Sequence, residues 1–157
     1  MEISQKMEDS MIVADILDKR VFTIRPGASL ARAASVMRTH RVTGLPVTDA
    51  AGRLVGVVTH NDLVRRREMD AESRPQDWPH KLLAPVTSTL DYIHMHSRHV
   101  YELMNPAPLT VTPAVKLYRA VELMNEQHVK RLPVLQNGHL VGMITKYDVM
   151  PHLAAYV

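Results

Sequence analysis

The sequence has no cysteine and few aromatic side chains, and both shortages restrict what the chain can be. Without cysteine among its 157 residues, it has no disulfide framework, thiolate metal site or cysteine nucleophile. Aromatic residues are 4% of a chain that is 46% hydrophobic, so we expect a core of aliphatic side chains and methionine. No apolar run approaches the length of a membrane span, and residues 1–10 lack the apolar stretch of a signal peptide. These absences predict a cytoplasmic protein that does not associate with membranes.

The positive charge is modest and is spread along the chain. The formal net charge is +3, and the one basic run, Arg65–Arg67, is followed by Glu68, Asp70 and Glu72. A nucleic-acid-binding surface would combine clustered basic residues with aromatic stacking residues, and this run has no aromatic neighbour. We interpret it as a solvated helix face and do not expect a nucleic acid as partner.

The chain contains an internal repeat. Residues 53–62 read Arg-Leu-Val-Gly-Val-Val-Thr-His-Asn-Asp, and residues 139–148 repeat this pattern 86 positions later. Earlier in each repeat the offset is 87, as Pro26 and Pro113 show, and one residue is lost in a turn between two strands. Hairpin loops tolerate such a loss, and Asn137-Gly138 is a favoured type I′ pair. The ordered recurrence predicts one structural unit present twice.

Each repeat predicts the order β-α-β-β-α. Leu30, Ala33, Ala34 and Met37 follow the apolar spacing of one helix face, and strands around 45–47 and 54–58 and a further helix come after them. The fold class is thus α/β (α+β), with two pseudo-symmetric repeats packed through their sheets. The expected domains are an N-terminal segment 1–12, repeat 1 at 13–68, a connecting segment 69–99 with short helices near 78–84 and 88–97, and repeat 2 at 100–157.

The ordered series resembles the CBS (cystathionine-β-synthase) domain as a tandem pair. Each repeat has Thr-x-x-Pro, an amphipathic helix, Leu-Pro-Val, a turn glycine, Leu-Val-Gly and Thr-x-x-Asp, over about 13–64 and 100–150. The nearest likeness is to small bacterial CBS-pair proteins without a catalytic or transport domain. The resemblance implies a disc-shaped homodimer of four repeats and two clefts that bind adenosine-containing ligands such as AMP, ADP, ATP, NAD or S-adenosylmethionine.

The resemblance also implies which residues line the two clefts. The Thr-x-x-Asp aspartate of one repeat binds the ribose hydroxyls, and the other repeat supplies the backbone near Thr-x-x-Pro and the residues before Leu-Pro-Val. Cleft A then consists of Thr59, His60, Asn61, Asp62, Leu109, Thr110, Val111, Thr112, Lys130 and Arg131. Cleft B consists of Thr145, Lys146, Asp148, Phe22, Thr23, Ile24, Arg25, Thr43 and Gly44. Because Lys130 and Arg131 suit phosphate and Thr43 and Gly44 do not, cleft A is expected to prefer a phosphorylated nucleotide.

Other interpretations of the same residues stay open. Thr-x-x-Asp also fits a helix capping box, so Asp62 and Asp148 can have a structural role, which is compatible with binding. His94, His96 and His99 suggest a metal site. On a helix, however, His96 and His99 share a face and His94 points away from it, whereas a zinc site needs three or four converging ligands. We therefore expect neither a metal nor a required cofactor.

The leading hypothesis is a regulatory module that senses an adenine nucleotide and signals to an unknown effector protein. No nucleophile elbow, glycine-rich phosphate loop or paired carboxylates indicate an active site, so we do not expect an enzyme. The alternative is a ligand-free dimerisation or scaffold protein.

Overall fold

The computed structural model describes residues 10–64 and 96–152, which form two compact units. The first unit contains residues 22–51, 55–64 and 96–107, and the second contains residues 10–21, 52–54 and 108–152. Short helices and two-stranded sheets alternate in both, which confirms the mixed fold class. The proposed connecting helix near 78–84, most of that near 88–97 and the basic run at 65–67 lie outside the described residues.

The first unit follows the order of elements expected for repeat 1. Helix α1 spans Leu30–His40, strands β1 and β2 span Gly44–Thr48 and Leu54–Thr59, and helix α2 begins at residue 60. The side chain of Ser29 caps α1 by accepting a hydrogen bond from the Arg32 amide at 3.1 Å. The apolar helix face packs on the strands in a core of Ile24, Leu30, Ala33, Met37, Leu45, Val47, Val58, Leu63 and Val100.

The second unit repeats this arrangement. It contains helix α3 (Leu117–Glu126), strands β3 (Arg131–Gln136) and β4 (His139–Thr145), helix α4 (Lys146–Val149) and a 3₁₀ turn (Met150–His152). The two strands pair antiparallel, with a register shift between Val134 and Leu135. Asn137 and Gly138 between them have φ of 53° and 80°, which confirms the expected type I′ turn. The core of this unit consists of Val13, Val111, Leu117, Ala120, Met124, Leu132, Val134, Ile144 and Val149.

The beginning of each sequence repeat belongs to the unit of the other repeat. The 3₁₀ turn Val13–Asp15 lies in the second unit, where the Val13 amide donates to Val115 O at 2.9 Å. The turn Val100–Glu102 lies in the first unit, where the Val100 amide donates to Ala28 O at 2.9 Å. Val13 and Val100 are fully buried in these positions. The expected boundaries at 13–68 and 100–157 describe sequence repeats and stay a prediction. The compact units do not follow them, because each of these two turns belongs to the unit of the other repeat.

A glycine lets each of these exchanged segments approach a strand closely. A Cβ on Gly56 of β2 would lie 2.8 Å from Asn105 O, and one on Gly142 of β4 would lie 2.7 Å from Asp18 O. The neighbouring residues Val57 and Met143 form antiparallel bridges to Asn105 and Asp18, respectively. Only a residue without a Cβ fits at either position without a shift of the segment. Within the described ranges, no helix has both the length and the apolar composition to cross a bilayer.

Candidate functional site

Both Thr-x-x-Asp motifs form complete capping boxes at the start of a helix. Asp62 Oδ2 accepts hydrogen bonds from the Thr59 amide at 2.7 Å and the Thr59 hydroxyl at 2.9 Å, while the Asp62 amide donates to Thr59 Oγ1 at 3.3 Å. Asp148 and Thr145 form the same three bonds at 2.8, 2.9 and 3.3 Å. These reciprocal bonds satisfy amide donors that a helix start leaves without partners, so the structural role is confirmed.

The capping boxes use only one oxygen of each carboxylate. In the described part of the chain, neither Asp62 Oδ1 nor Asp148 Oδ1 has a hydrogen-bond partner, although both side chains are half-buried. A carboxylate oxygen is an acceptor and can bind two donors, such as the two hydroxyls of a ribose. Each motif thus fixes one carboxylate oxygen through the cap, and no described residue bonds to the other.

The residues that precede Leu-Pro-Val lie beside the capping box of their own repeat. The His60 amide donates to Thr43 O at 2.8 Å in the first unit, and the Lys146 amide donates to Lys130 O at 3.0 Å in the second. Arg131 also pairs with Thr145 in the β3–β4 ladder. A residue in the left-handed conformation ends each preceding helix and turns the chain toward these positions. It is Arg41 at φ 54° in the first unit and its counterpart His128 at φ 53° in the second.

The Thr-x-x-Pro segments run parallel to the first strand of the same unit. Ile24 bridges Val47 of β1, with the Ile24 amide donating to Pro46 O at 3.0 Å. In the second unit Val111 bridges Val134 of β3, and its amide donates to Pro133 O at 3.1 Å. Each unit therefore brings together a Thr-x-x-Pro segment, the residues before Leu-Pro-Val and a Thr-x-x-Asp capping box.

The expected residues group by unit as follows. The first unit holds Phe22, Thr23, Ile24, Arg25, Thr43, Gly44, Thr59, His60, Asn61 and Asp62. The second holds Leu109, Thr110, Val111, Thr112, Lys130, Arg131, Thr145, Lys146 and Asp148. The crossed combinations of clefts A and B each join residues of different units, and they stay a prediction.

The two groups differ in charge at equivalent repeat positions. The second unit carries Lys130, Arg131 and Lys146 where the first has Thr43, Gly44 and His60. Lys130 is exposed, whereas Arg131 and Lys146 are half-buried beside the start of α4. These three cations add positive charge near the start of α4, which favours an anion in the second unit, and phosphate is a group that lysine and arginine bind well.

An aromatic stack in the first unit involves a residue that sequence reasoning did not select. The Phe22 ring lies on the imidazole of His40, with ring centroids 3.6 Å apart and an interplanar angle of 11°. Phe22 is 40% exposed and His40 is exposed. His40 is 18 positions away on the last turn of α1, and its sequence context carries no signal that would place it beside the Thr-x-x-Pro segment.

Of the three histidines considered as metal ligands, His99 makes other contacts. The ring of His99 stacks on Tyr101 with centroids 5.2 Å apart, and its amide donates to Glu102 Oε2 at 2.6 Å. His94 lies outside the described residues. Across residues 10–64 and 96–152, no three His, Cys, Asp or Glu side chains converge well enough to hold a metal ion.

Comparison with known proteins identifies the family. The family model described as "CBS domain" matches residues 13–68 and 100–155, which is most of the chain and both repeats. The chain belongs to the CBS domain family. The capping boxes, the Thr-x-x-Pro segments and the residues before Leu-Pro-Val therefore lie at corresponding positions of two CBS repeats. This confirms the resemblance found from the ordered motifs.

Similar proteins include CBS proteins of Arabidopsis thaliana and solved CBS-pair structures. The chloroplastic CBS domain-containing protein CBSX2 is 30% identical over 149 residues, which are 88% of this chain and 61% of that protein. The chain thus spans about three fifths of the length of CBSX2, and 62% of the related CBSX1.

Two solved structures resemble the whole fold. A crystal structure of CBSX2 in complex with AMP is 26% identical, with a TM-score of 0.68, and covers 92% of this chain and 97% of that one. The CBS domain pair of protein MJ0100, in complex with 5′-methylthioadenosine and S-adenosyl-L-methionine, has a TM-score of 0.73 at 20% identity. It covers 94% of this chain and 98% of that one. At that identity the second structure supports the fold alone.

Proposed function

We propose that the chain is a regulatory module that binds an adenosine-containing ligand and passes its bound state to an effector protein. The observation that carries this proposal is the oxygen Oδ1 of Asp62 and of Asp148, which each capping box leaves without a partner among the described residues. A ribose diol supplies the two donors that this acceptor needs. The AMP complex of the similar protein CBSX2 supports the choice of an adenine nucleotide.

In this proposal the protein binds the ligand as a regulator and does not act as an enzyme. A bound ligand shifts a conformational equilibrium only by the difference in its affinity for the two states. The effector is therefore expected to bind the ligand-loaded and ligand-free forms with different affinities, and this coupling is reciprocal. The homodimer and the cytoplasmic location expected from the sequence belong to this proposal.

A thermal unfolding series with the ligand-free protein tests the proposal. AMP, ADP, ATP, adenosine, NAD and S-adenosylmethionine are added separately, and the shift in melting temperature is compared with that caused by inorganic phosphate. A ligand at a hundredfold excess over its Kd stabilises the folded state by about 2.7 kcal/mol, so at least one adenosine compound should give a clear upward shift. If none of them shifts the transition more than phosphate does, the sensor proposal fails.

We further propose that Lys130 and Arg131 bind the ligand's phosphate, as expected for cleft A with Asp62. The backbone contact of Lys130 with Lys146 adds a second possibility, in which the pair serves the ligand held by Asp148. In either case Arg131→Ala should weaken AMP binding about ten- to hundredfold, because hydrogen bonds to charged groups contribute about 1.5–3 kcal/mol. Adenosine binding should change little. Arg38→Ala, which removes an exposed arginine of α1 outside both clefts, is the control.

A double-mutant cycle decides which aspartate shares a ligand with Arg131. Arg131→Ala is combined separately with Asp62→Asn and with Asp148→Asn, and AMP affinity is measured by calorimetry. The aspartate that shares the ligand should show a coupling free energy with Arg131, whereas losses at independent sites add. Additive losses with both aspartates, or an unchanged AMP affinity in Asp62→Asn with Arg131→Ala, would remove the cleft A assignment.

A second function is supported by a specific surface feature. Tyr118, Tyr147 and Met150 are 45%, 81% and 61% exposed, respectively, and large apolar side chains at the surface are typical of interaction sites where they form a patch. Such residues favour a protein–protein contact. They therefore support the alternative function, a dimerisation or scaffold protein that binds no ligand. A protein that gives no ligand-dependent shift in the thermal series but remains a stable dimer would fit this alternative.

A further inference from the structure

The chain contains ten methionines and no cysteine, so its side-chain sulfur consists of thioethers alone. Within residues 10–64 and 96–152, two methionines are buried in the cores, Met37 and Met124. The other methionines of these ranges are half-buried or exposed: Met11, Met104, Met143 and Met150. In the folded protein a dissolved oxidant reaches the sulfur atoms of this second group most easily.

The thioether of Met104 lies directly against strand β2. A Cβ on Gly56 would be 2.7 Å from Met104 Sδ and 3.1 Å from Met104 Cγ, so the side chain occupies the space that a larger residue at position 56 would need. Met104 also packs against the core of the first unit. The sulfur and the strand are therefore in close contact, without space for an additional atom between them.

Backbone hydrogen bonds hold the chain on both sides of this sulfur. The Met104 amide donates to Val100 O at 2.9 Å, at the end of the 3₁₀ turn. The next residue, Asn105, donates to Val57 O at 2.8 Å and accepts from the Val57 amide at 3.0 Å. Met104 thus lies beside the two bonds that join residues 100–105 to β2.

The second unit has a side chain without sulfur at the equivalent position. Leu17 is the repeat equivalent of Met104, and its side chain lies against Gly142 as that of Met104 lies against Gly56. Met143 follows Gly142 in β4, and successive side chains of a strand point to opposite faces of the sheet. The Met143 side chain therefore points away from Leu17, and the contact with sulfur belongs to the first unit.

We propose that Met104 is a redox modification site, at which a peroxide oxidises Sδ to the sulfoxide and loosens the attachment of residues 100–105 to β2. In this step the O–O bond of hydrogen peroxide breaks, one oxygen forms the S–O bond, and the other leaves as water. The sulfur loses two electrons, and the peroxide gains them. A methionine sulfoxide reductase, with a dithiol as reductant, reverses the modification. This inference does not depend on the ligand of the proposed function.

A sulfoxide is unfavourable at this position for two reasons. Its oxygen adds volume to a side chain that already fills the space beside Gly56. The oxygen is also a hydrogen-bond acceptor, and the backbone amides of this contact, those of Val57 and Asn105, already donate to carbonyl groups. A buried polar group without a partner destabilises the arrangement that buries it, so the oxidised side chain should turn outward and lose its contact with β2.

Peroxide treatment of the folded, full-length protein tests the proposal. Peptide mass spectrometry locates the sulfoxides at increasing doses of hydrogen peroxide, and hydrogen exchange by NMR measures the protection of single amides. Once Met104 is oxidised, the protection of the Val57 and Asn105 amides should fall at least about tenfold, the effect of one unsatisfied buried polar group on a local opening equilibrium. The Leu135 amide of the second unit should keep its protection.

Met104→Leu is the matched control, because it places in the first unit the residue that the second unit has. Leucine and methionine have similar volumes, so the variant should fold normally. At the same peroxide dose its Val57 and Asn105 amides should stay protected, although its other methionines are oxidised. In the reverse exchange, Leu17→Met, oxidation should lower the protection of the Met143 amide more than it does in the wild type.

Three results would overturn the inference. Met104 could remain unoxidised at doses that fully oxidise the exposed Met150, or its oxidation could leave both amides protected, or Met104→Leu could lose as much protection as the wild type. Treatment of the oxidised wild type with the reductase should restore protection, and a loss that persists after complete reduction would also count against a reversible site. None of these results bears on AMP binding by the untreated protein, so the ligand proposal is tested separately.

Discussion

At the scale of single residues, the two aspartates have a structural role through one oxygen, and the binding role that we propose uses the other. Oδ2 of Asp148 accepts hydrogen bonds from the amide and the hydroxyl of Thr145, while Oδ1 has no partner within residues 10–64 and 96–152. The capping bonds orient the carboxylate before any ligand arrives, so little side-chain entropy is lost on binding. The sequence alone supported either role for Thr-x-x-Asp, and the geometry shows that the two are compatible.

Substitutions at Asp148 separate the two roles. Asp148→Ala should lower the free energy of unfolding by about 0.5–2 kcal/mol, since the Thr145 amide loses its acceptor. Asp148→Asn should cost clearly less, because the amide oxygen can still accept the bonds that Oδ2 accepts. Urea denaturation measures both variants. An equal loss in the two would indicate that the negative charge, and not the acceptor, stabilises the helix start.

Gly142 has a steric role that a single methyl group tests. A Cβ at this position would collide with the side chain of Leu17 and lie 2.7 Å from Asp18 O. Gly142→Ala should therefore destabilise the protein by about 1–3 kcal/mol in urea denaturation. Gly27→Ala is the matched control, because a Cβ there has no atom within 4 Å, and its effect should stay within about 0.5 kcal/mol. Similar effects of both substitutions would show that the Leu17–Asp18 segment is not held closely against β4.

At the scale of secondary-structure elements, the local order of each repeat could be predicted from sequence. The apolar spacing from Leu30 to Met37, the Asn137-Gly138 turn and the helix starts after Thr59 and Thr145 are local signals, and the structure bears them out. Each of these features depends on residues only a few positions apart.

The exchange of the first segment of each repeat could not be predicted in this way. Val13 and Val100 occupy equivalent positions, and both sequence contexts allow either unit to receive either valine. The segments are single 3₁₀ turns, too short to carry a periodic pattern. The unit in which each valine is buried depends on contacts between residues far apart in the sequence, and the local spacing of apolar residues does not specify these contacts. For the same reason, Phe22 could be selected as a site residue but its stacking partner His40 could not.

The two exchanged segments differ in their hydrogen bonds to the neighbouring strands β2 and β4. Asn105 and Val57 exchange two backbone hydrogen bonds, of 3.0 and 2.8 Å, whereas Asp18 and Met143 share one of 3.3 Å. The Met143 amide should therefore exchange with solvent deuterium faster than those of Val57 and Asn105, because local opening of a weaker contact costs less free energy.

Hydrogen-exchange measurements by NMR resolve these three amides individually. The wild-type protein without ligand is the reference state, and the Leu135 amide, which donates to Val111 O at 2.8 Å, serves as an internal standard from the second unit. Equal protection of Met143 and Asn105 would contradict the difference in attachment.

At the scale of the whole molecule, the chain consists of two similar CBS repeats with unlike surfaces. The second unit carries Lys130, Arg131 and Lys146 in the segments that meet at its capping box, and the first carries none of these cations at the equivalent positions. Both repeats thus contain a capping-box aspartate, but the two repeats differ in the charge of the residues near it. We expect the two aspartates to serve ligands of unequal affinity, with the phosphate group as the main source of the difference.

The central claim is that Asp62 and Asp148 bind an adenosine ligand, and calorimetric titration with AMP tests it most directly. AMP is added to the ligand-free wild type, to the Asp62→Asn, Asp148→Asn double variant and to the control Asp49→Asn. Wild type and control should bind AMP with the same affinity. The double variant should retain its fold but bind about ten- to hundredfold more weakly, because each ribose loses a charged acceptor. Undiminished AMP affinity in a folded double variant, or no binding to the wild type, would contradict the claim.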